Sequence, residues 1–312
     1  MKCTIQNIAD HLGLSRNTVS KALKNSSEVS ENTRNLVIKT ASKLGYKNAT
    51  FATPVIPASE TGSNGTILFL TRTYASDSEF WTTVLRGIES ILSNANYHLA
   101  ISIMSDSDLK QLNFPQTISD SSIKGIILVE ICDKVVCDAL SQFNLPIVSV
   151  DMPNVPFEEL NGIDVVTMES KKNLKKIINQ LIEKGAESFG FVGDLYSPNV
   201  SRGFQERYNA LSECLAEHQL PLNQKNCLLH QTPEDFRNFQ TTVNNLQAMI
   251  SLPDVFICGN DWTAIQLIYA LQFLGFQIPK DICVVGFDNI PAASRISPSL
   301  TTISTPQKYL GI

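Results

Sequence analysis

The sequence lacks the features that mark membrane and secreted proteins. Its 312 residues contain no run of about eighteen apolar residues, and the N-terminal stretch MKCTIQNIAD has no apolar signal segment. We therefore expect a cytoplasmic protein that does not contact a membrane. Hydrophobic residues make up 43% and charged residues 18%, an ordinary globular composition that predicts two or three structural units.

Motifs for metals, cofactors and catalysis are also missing. The seven cysteines form no CxxC pair, which argues against a zinc site or a disulfide framework. The four histidines form no HExxH motif, and GxSxG, GxGxxG and GxxxxGK do not occur. We expect no metal, no cofactor and no enzymatic activity.

Positive charge is scarce outside the first fifty residues. Residues 1–50 contain eight Lys or Arg and three Asp or Glu, a net charge of +5, whereas the whole chain carries −5 and the remainder therefore −10. A basic head on an acidic body indicates that only the head approaches a polyanion such as nucleic acid.

The head, residues 1–46, has the apolar spacing of three short helices. The first ends at Gly13, the second covers SRNTVSKALKN at residues 15–25, and the third begins near Ser30 and ends at Gly45. Two helices joined by a short glycine-containing turn form a helix-turn-helix. The side chains expected to face its core are Ile5, Ile8, Ala9, Leu12, Val19, Ala22, Leu23, Leu36, Val37, Ala41 and Leu44.

The second helix has a polar face of hydrogen-bonding and cationic side chains. These residues, which lie opposite its apolar face, are Asn17, Ser20, Lys21 and Lys24. A solvated structural helix would show the same pattern, but the adjoining turn, the third helix and the local positive charge favour DNA binding.

A linker at residues 47–64, rich in proline, glycine and small polar residues, separates the head from a body at residues 65–312. In the body, apolar runs of strand type alternate with segments of helical spacing, which predicts an α/β fold with two lobes of parallel sheet. Ligands bind at the carboxyl ends of such strands. Polar residues that follow the runs are Thr71, Arg72, Ser105, Asp106, Asp151, Asp194, Asn260, Asp261, Asp288 and Asn289.

Three stretches together resemble the LacI/GalR family of bacterial transcriptional regulators. They are TIQNIADHLGLSRNTVSKALKN, VSENTRNLVIKTASKLGY and ICVVGFDNIPAASRISPSLTTIS, and the likeness runs from Thr4 to about Leu310. The resemblance implies a homodimer on double-stranded operator DNA, most often acting as a repressor. It also implies a body like a periplasmic binding protein that binds a small effector.

The same resemblance implies roles for particular residues of the head and the body. Bases would be read by Arg16, Asn17 and Lys21, since Arg and Lys pair with guanine edges and Asn with adenine. Phosphate contacts would come from Thr4, Ser15, Thr18, Ser20, Lys24, Ser30 and Thr33. Effector contacts would come from Phe80, Trp81, Asp151, Arg207, Asn260, Asp261 and Asp288.

The residues expected to contact the effector are compatible with several classes of ligand. Carboxylates, an arginine and aromatic faces suit a hydroxyl-rich ligand such as a sugar, while nucleobases and amino acids are alternatives. A solute-binding protein for transport would have the same body. The basic head and the absence of a signal segment favour the regulator.

Three stretches depart from the family pattern. The linker YKNATFATPVIP has no proline before Asn48, no arginine and no leucine at the positions of the family's hinge helix, and Pro54 lies inside it. Insertion of a side chain into the minor groove is therefore expected to be weak or to fall to Phe51. ESKKN at residues 169–173 has Asn173 where the family commonly has glycine. The final PQKYLGI resembles the start of a helix that normally continues, which suggests a truncated or incomplete chain.

Overall fold

The chain divides into two compact units, residues 1–62 and residues 63–312. The computed structural model describes residues 4–23, 29–43, 63–72, 78–131, 133–150, 155–160, 162–195, 202–230 and 238–312. Most of the linker expected at residues 47–64 lies outside the described residues, as do Lys24 and Asp151.

The first unit contains three helices: α1 (Ile5–Leu12), α2 (Arg16–Leu23) and α3 (Glu31–Lys43). Helix α1 begins with a capping box between Thr4 and Asn7 and ends at Gly13, whose φ of 63° is the left-handed conformation that suits glycine. This arrangement is the helix-turn-helix expected from the sequence. Its core consists of Ile8, Ala9, Val19, Ala22, Val29, Val37 and Ala41.

One residue expected in this core lies at the surface. Leu36 is 50% exposed, whereas Val37, Thr40 and Ala41 are buried. Val37 and Ala41 lie on the inward face as expected, and Thr40 completes that face in place of Leu36. Apolar spacing alone could not show this, because threonine is polar and leucine is apolar. Leu44 lies outside the described residues.

The second unit has two lobes, each with a five-stranded parallel sheet. In the N-terminal lobe the sheet order is β2-β1-β3-β4-β5, formed by β1 (Gly65–Arg72), β2 (Tyr97–Met104), β3 (Ile123–Val129), β4 (Ile147–Val150) and β5 (Ile163–Val166). In the C-terminal lobe it is β10-β9-β8-β6-β7, formed by β6 (Phe189–Asp194), β7 (Leu228–His230), β8 (Val255–Cys258), β9 (Cys283–Asp288) and β10 (Thr301–Ser304). All pairings are parallel, which confirms the predicted α/β class.

Helices cover both sheets. They are α4 (Glu79–Asn94), α5 (Asp106–Gln111), α6 (Lys134–Ser141), α7 (Lys171–Glu183), α8 (Arg202–Glu217), α9 (Phe239–Gln247), α10 (Asp261–Phe273) and α11 (Gln307–Leu310). After β10 the chain returns to the N-terminal lobe, where α11 packs against α4. None of the described helices is long and apolar enough to cross a bilayer.

Three hydrophobic clusters hold the second unit together. One lies in the N-terminal lobe around Leu68, Leu128 and Ile147, and a second lies in the C-terminal lobe around Phe189 and Leu211. The third cluster contains residues of both lobes, including Phe69, Phe80 and Trp81 with Phe256, Ile265 and Ile290. The lobes are therefore joined by shared apolar burial as well as by the chain.

Candidate functional site

The polar face of α2 is available at the surface of the first unit. Arg16 and Asn17 are exposed and Lys21 is partly exposed, while Val19 and Ala22 on the opposite side are buried. The α2 backbone is thus anchored by its apolar face, and its first turn presents long polar side chains outward. That geometry suits insertion of the helix into a DNA major groove.

Most hydroxyl residues expected to contact phosphate lie at the starts of the three helices, whereas Ser20 lies in the second turn of α2 and is partly buried. The Oγ of Ser15 accepts the backbone N–H of Thr18 at 3.0 Å, and its hydroxyl lies 2.8 Å from that of Thr18. Ser30 and Thr33 repeat this pair before α3, with hydroxyls 2.8 Å apart. Helix N-termini carry exposed N–H groups and a partial positive charge, which favour phosphate.

The two sheets of the second unit share one topology. Numbering the strands within each lobe gives the order 2-1-3-4-5 twice, so the strand order reverses between β1 and β3 in one lobe and between β6 and β8 in the other. In such sheets ligands bind at this switch point, beside the carboxyl ends of the strands. The residues of interest are therefore those directly after β1, β3, β6 and β8.

In the N-terminal lobe these ends carry two polar pairs. Buried Arg72 forms an ion pair with Asp106 at the start of α5. The indole Nε1 of Trp81 donates to Oε1 of Glu130, which follows β3. Trp81 also meets the ring of Phe80 edge-on, with centroids 4.7 Å apart, and both rings are largely buried.

Glu130 was missed by sequence reasoning because it was included in the apolar run GIILVEI. Its φ of 54° is left-handed, which is uncommon for a residue other than glycine. Two signals could have identified it: a single charge within an otherwise apolar strand, and its place at the end of the strand nearest the switch point.

In the C-terminal lobe Arg207 lies beneath the carboxyl ends of β8 and β9. Its guanidinium stacks on the ring of Phe287, with Cζ 3.9 Å from the centroid, and NH1 donates to the carbonyl of Gly259. Arg207 is buried. Gly259 and Phe287 thus hold the guanidinium of Arg207 at the strand ends, and they directly precede Asn260 and Asp288 in the chain.

Asp261, one of the expected effector contacts, is completely buried. It is 0% exposed; Oδ2 accepts the backbone N–H of Ile290 at 2.8 Å, and Oδ1 accepts the hydroxyl of Thr302. Gly286 leaves room for it, since a Cβ there would lie 2.2 Å from Oδ1. The geometry therefore gives Asp261 a different role from the expected effector contact: it fastens the segment after β9 to α10 and β10.

Burial changes the acidity of this carboxyl. Desolvation raises the pKa of Asp261 from 3.8 to about 6, although the hydrogen bonds from Thr302 and Ile290 and the charge of Arg207 act in the opposite direction.

Asn260 and Asp288 are closer to the expected edge. The side chain of Asn260 caps α10 by accepting the N–H of Thr263 at 2.9 Å. Asp288 and Asn289 have φ values of 113° and 55°, and the carbonyl of Asp288 accepts bonds from Thr305 and Gln307. Two consecutive non-glycine residues with positive φ store backbone strain, a feature that clusters at ligand sites.

Among the residues that the structure describes, no group of three His, Cys, Asp or Glu side chains is placed to hold a metal ion. The described cysteines, Cys137, Cys214, Cys227, Cys258 and Cys283, are free thiols. Burial raises the pKa of the Cys137 thiol to about 12.

Comparison with known proteins identifies both units. The family model "Bacterial regulatory proteins, lacI family" matches residues 4–48, and "Periplasmic binding protein-like domain" matches residues 178–311. Catabolite control protein A of Staphylococcus xylosus is 27% identical over 100% of this chain and 90% of its own length. The ribose operon repressor of Haemophilus influenzae is 27% identical over 99% of this chain and 88% of its own.

A solved structure shows the same fold over the whole chain. The Lac repressor dimer bound to operator and the anti-inducer ONPF is 20% identical, with a TM-score of 0.64, and the match covers 100% of this chain and 90% of that one. The head, the two-lobed body and these relatives agree, and the chain is a member of the LacI/GalR family of transcriptional regulators.

Proposed function

We propose that this regulator represses transcription by binding a pseudo-palindromic operator as a homodimer, with α2 of each head in a major groove. The observation that carries the proposal is the exposed polar face of α2, where Arg16, Asn17 and Lys21 lie opposite the buried Val19 and Ala22. Arg and Lys suit guanine edges and Asn suits adenine. Such a protein works in the cytoplasm, where its operator is. It needs no catalytic group.

The operator is identified by selection. Full-length protein would be incubated with a random double-stranded DNA pool, and bound DNA would be amplified and sequenced over successive rounds. A two-fold symmetric motif whose half-sites are about 10 base pairs apart, centre to centre, supports the proposal. Enrichment of no motif contradicts it and would favour the alternative of a solute-binding protein without a DNA role.

Dimerisation is proposed through an exposed apolar face of the C-terminal lobe. Trp262, Tyr269 and Phe273 lie on one side of α10, and Phe273 is 68% exposed. The Phe273 ring meets that of Phe239 on α9 edge-on, with centroids 5.8 Å apart, which extends the face. Regulators of this family act as dimers, so the occupant of this face is a second copy of the chain.

A hydroxyl-rich effector, in the first instance a sugar, is proposed for the body. The strand ends offer the Glu130 carboxylate beside the Trp81 ring in the N-terminal lobe and Arg207 on the Phe287 ring in the C-terminal lobe, and one relative is a ribose operon repressor. Binding changes operator affinity only through a difference in effector affinity between two arrangements of the body.

Intrinsic fluorescence tests the ligand class. The chain has two tryptophans, so Trp262→Phe leaves Trp81 as the single reporter beside the proposed site. Saturable changes in its emission with D-ribose or another sugar support the proposal. A response to guanine or to amino acids alone would replace the sugar with one of those classes.

A further inference from the structure

The side chain of Arg202, the first residue of α8, contacts Glu206, Val155 and Phe157. Its Nε donates to Oε1 of Glu206 at 2.8 Å, one turn along the helix. Its NH1 donates to the carbonyl of Val155 at 3.3 Å. Its Cζ lies 4.4 Å from the centroid of the Phe157 ring, over which the guanidinium stacks. Glu206 thus orients the guanidinium towards two residues that are distant in the sequence.

These contacts join the two lobes. Val155 packs on the hydrophobic cluster of the N-terminal lobe, which includes Leu160 and Ile163. Helix α8 instead contributes Leu211 and Leu215 to the cluster of the C-terminal lobe. Because the two sides belong to separate cores, Arg202 adds a polar link between the lobes to the apolar cluster that they share.

The contact lies in the connections that leave the ligand-binding edges. Val155 and Phe157 follow the carboxyl end of β4, and Arg202 follows the carboxyl end of β6. Another interlobe contact lies elsewhere: Glu79 of α4 accepts the N–H of Ala292 at 3.2 Å and lies 3.9 Å from Arg295. Arg202 is therefore placed where relative movement of the lobes would open or close the effector site.

We propose that Arg202 and Phe157 form an interlobe latch whose release accompanies rearrangement of the lobes around the effector. A planar guanidinium can stack face to face on an aromatic ring while its in-plane N–H groups donate hydrogen bonds, whereas the ammonium of lysine has no planar face to stack. Phe157 is 50% exposed, and the ion pair of Arg202 with Glu206 lies within α8, so it does not depend on the position of the N-terminal lobe. The latch depends on one part of the proposed function, namely that the body binds an effector.

Hydrogen exchange on the full-length chain tests the latch without DNA or effector. The amide of Leu160 donates to the carbonyl of Phe157 within the N-terminal lobe, and Arg202 takes no part in that bond. If the latch exists, Arg202→Ala speeds exchange at residues 157–160 at least five-fold. Conversely, Phe157→Ala speeds exchange at residues 206–209 of α8, the first amides that have helical hydrogen-bond partners, and the double variant exchanges no faster than the singles.

Two further variants make the result specific. Arg202→Lys keeps the charge beside Glu206 but removes the planar face, so we expect it to match Arg202→Ala within about two-fold and to preserve folding. Arg295→Ala, the matched control, removes an arginine from the other interlobe contact and leaves exchange at residues 157–160 unchanged. Effects confined to the substituted lobe overturn the latch. Because neither operator nor effector is present, such a failure is distinct from failure of the proposed function.

Discussion

We propose that single hydroxyls in the head have two compatible roles, helix capping and phosphate contact. Ser15 and Ser30 each cap a helix with the side-chain oxygen, which leaves the hydroxyl hydrogen able to donate. The residue that starts a helix therefore also stands at the end that attracts phosphate. Base reading requires something different, namely long side chains on the exposed face of α2.

Substitutions of Asn17 and Lys24 should distinguish base reading from phosphate contact. Asn17→Ala is expected to relax preference at one position per half-site, at a cost of about 1–3 kcal/mol for the preferred base, because alanine cannot form the bidentate amide pair. Lys24→Ala should weaken all sequences alike and flatten the salt dependence, by about 0.9 in the log–log slope for each phosphate that is no longer neutralised. Competition binding with single-base operator variants measures both. Equal, sequence-independent effects would refute the reading role of Asn17.

Asp261 predicts a pH dependence of stability. Its pKa of about 6 in the folded protein lies above the unfolded value of 3.8, so the folded state holds a proton more tightly between these values. Stability from this group is complete below pH 3.8 and is lost as the pH rises to about 6, in total about 3 kcal/mol.

Asp261→Asn removes this ionisation. The amide oxygen can accept from Ile290, and the Thr302 hydroxyl can turn to accept from the new NH₂ group. Urea unfolding at intervals from pH 3.5 to 7 should show the free energy of unfolding of the variant gaining about 3 kcal/mol relative to the original chain. A constant difference between the two proteins across this range would show that Asp261 ionises normally.

At the scale of elements, periodicity predicted the long helices and apolar strands, but not the short or polar ones. Strand β7, LLH, contains only three residues, and strand β10, TTIS, has one apolar residue in four, so neither forms an apolar run. Helix α9, FQTTVNNLQ, is mostly polar on the surface and buries only Thr242, Val243 and Leu246. Contacts made by the rest of the fold specify these elements.

The candidate site likewise contains residues that the sequence predicts and residues that only the tertiary structure reveals. The sequence indicates which residues follow strands, and Arg207 and Asp288 do lie at the carboxyl edge. Burial depth is a tertiary property, so no local pattern distinguishes inaccessible Asp261 from Asn260 one residue earlier. Glu130 and the interlobe contact of Arg202 likewise depend on strand order and on segments far apart in the chain.

The exposed face of α10 predicts the oligomeric state. Tyr269→Lys combined with Phe273→Lys places two charges on an apolar interface, where burying them is costly. We expect light scattering to show a monomer where the original chain is a dimer. Ile250→Lys is the matched control, since Ile250 is 94% exposed and lies outside α10. A dimer in the double variant would place the interface on another surface.

At the scale of the whole molecule, the charge distribution is expected to favour DNA binding by the head, and the fold of the body is expected to favour effector binding. The +5 charge of residues 1–50 and the −10 of the remainder orient the protein so that its heads meet DNA. The body contains two sheets with the same strand order, and each sheet has a switch point at which an effector is expected to bind. Coupling between the sites is expected to be reciprocal: an effector that weakens operator binding is itself bound less tightly by the DNA complex.

Salt-dependent operator binding tests the central claim most directly. Fluorescence anisotropy would follow the full-length chain on its selected operator and on a scrambled duplex between about 50 and 200 mM salt. With two heads each contributing at least two cations, we predict a log–log slope steeper than about −3 on both duplexes. We also predict at least about a thousand-fold preference for the operator. Equal affinity for the two duplexes, or no binding at micromolar protein, would contradict a sequence-specific regulator.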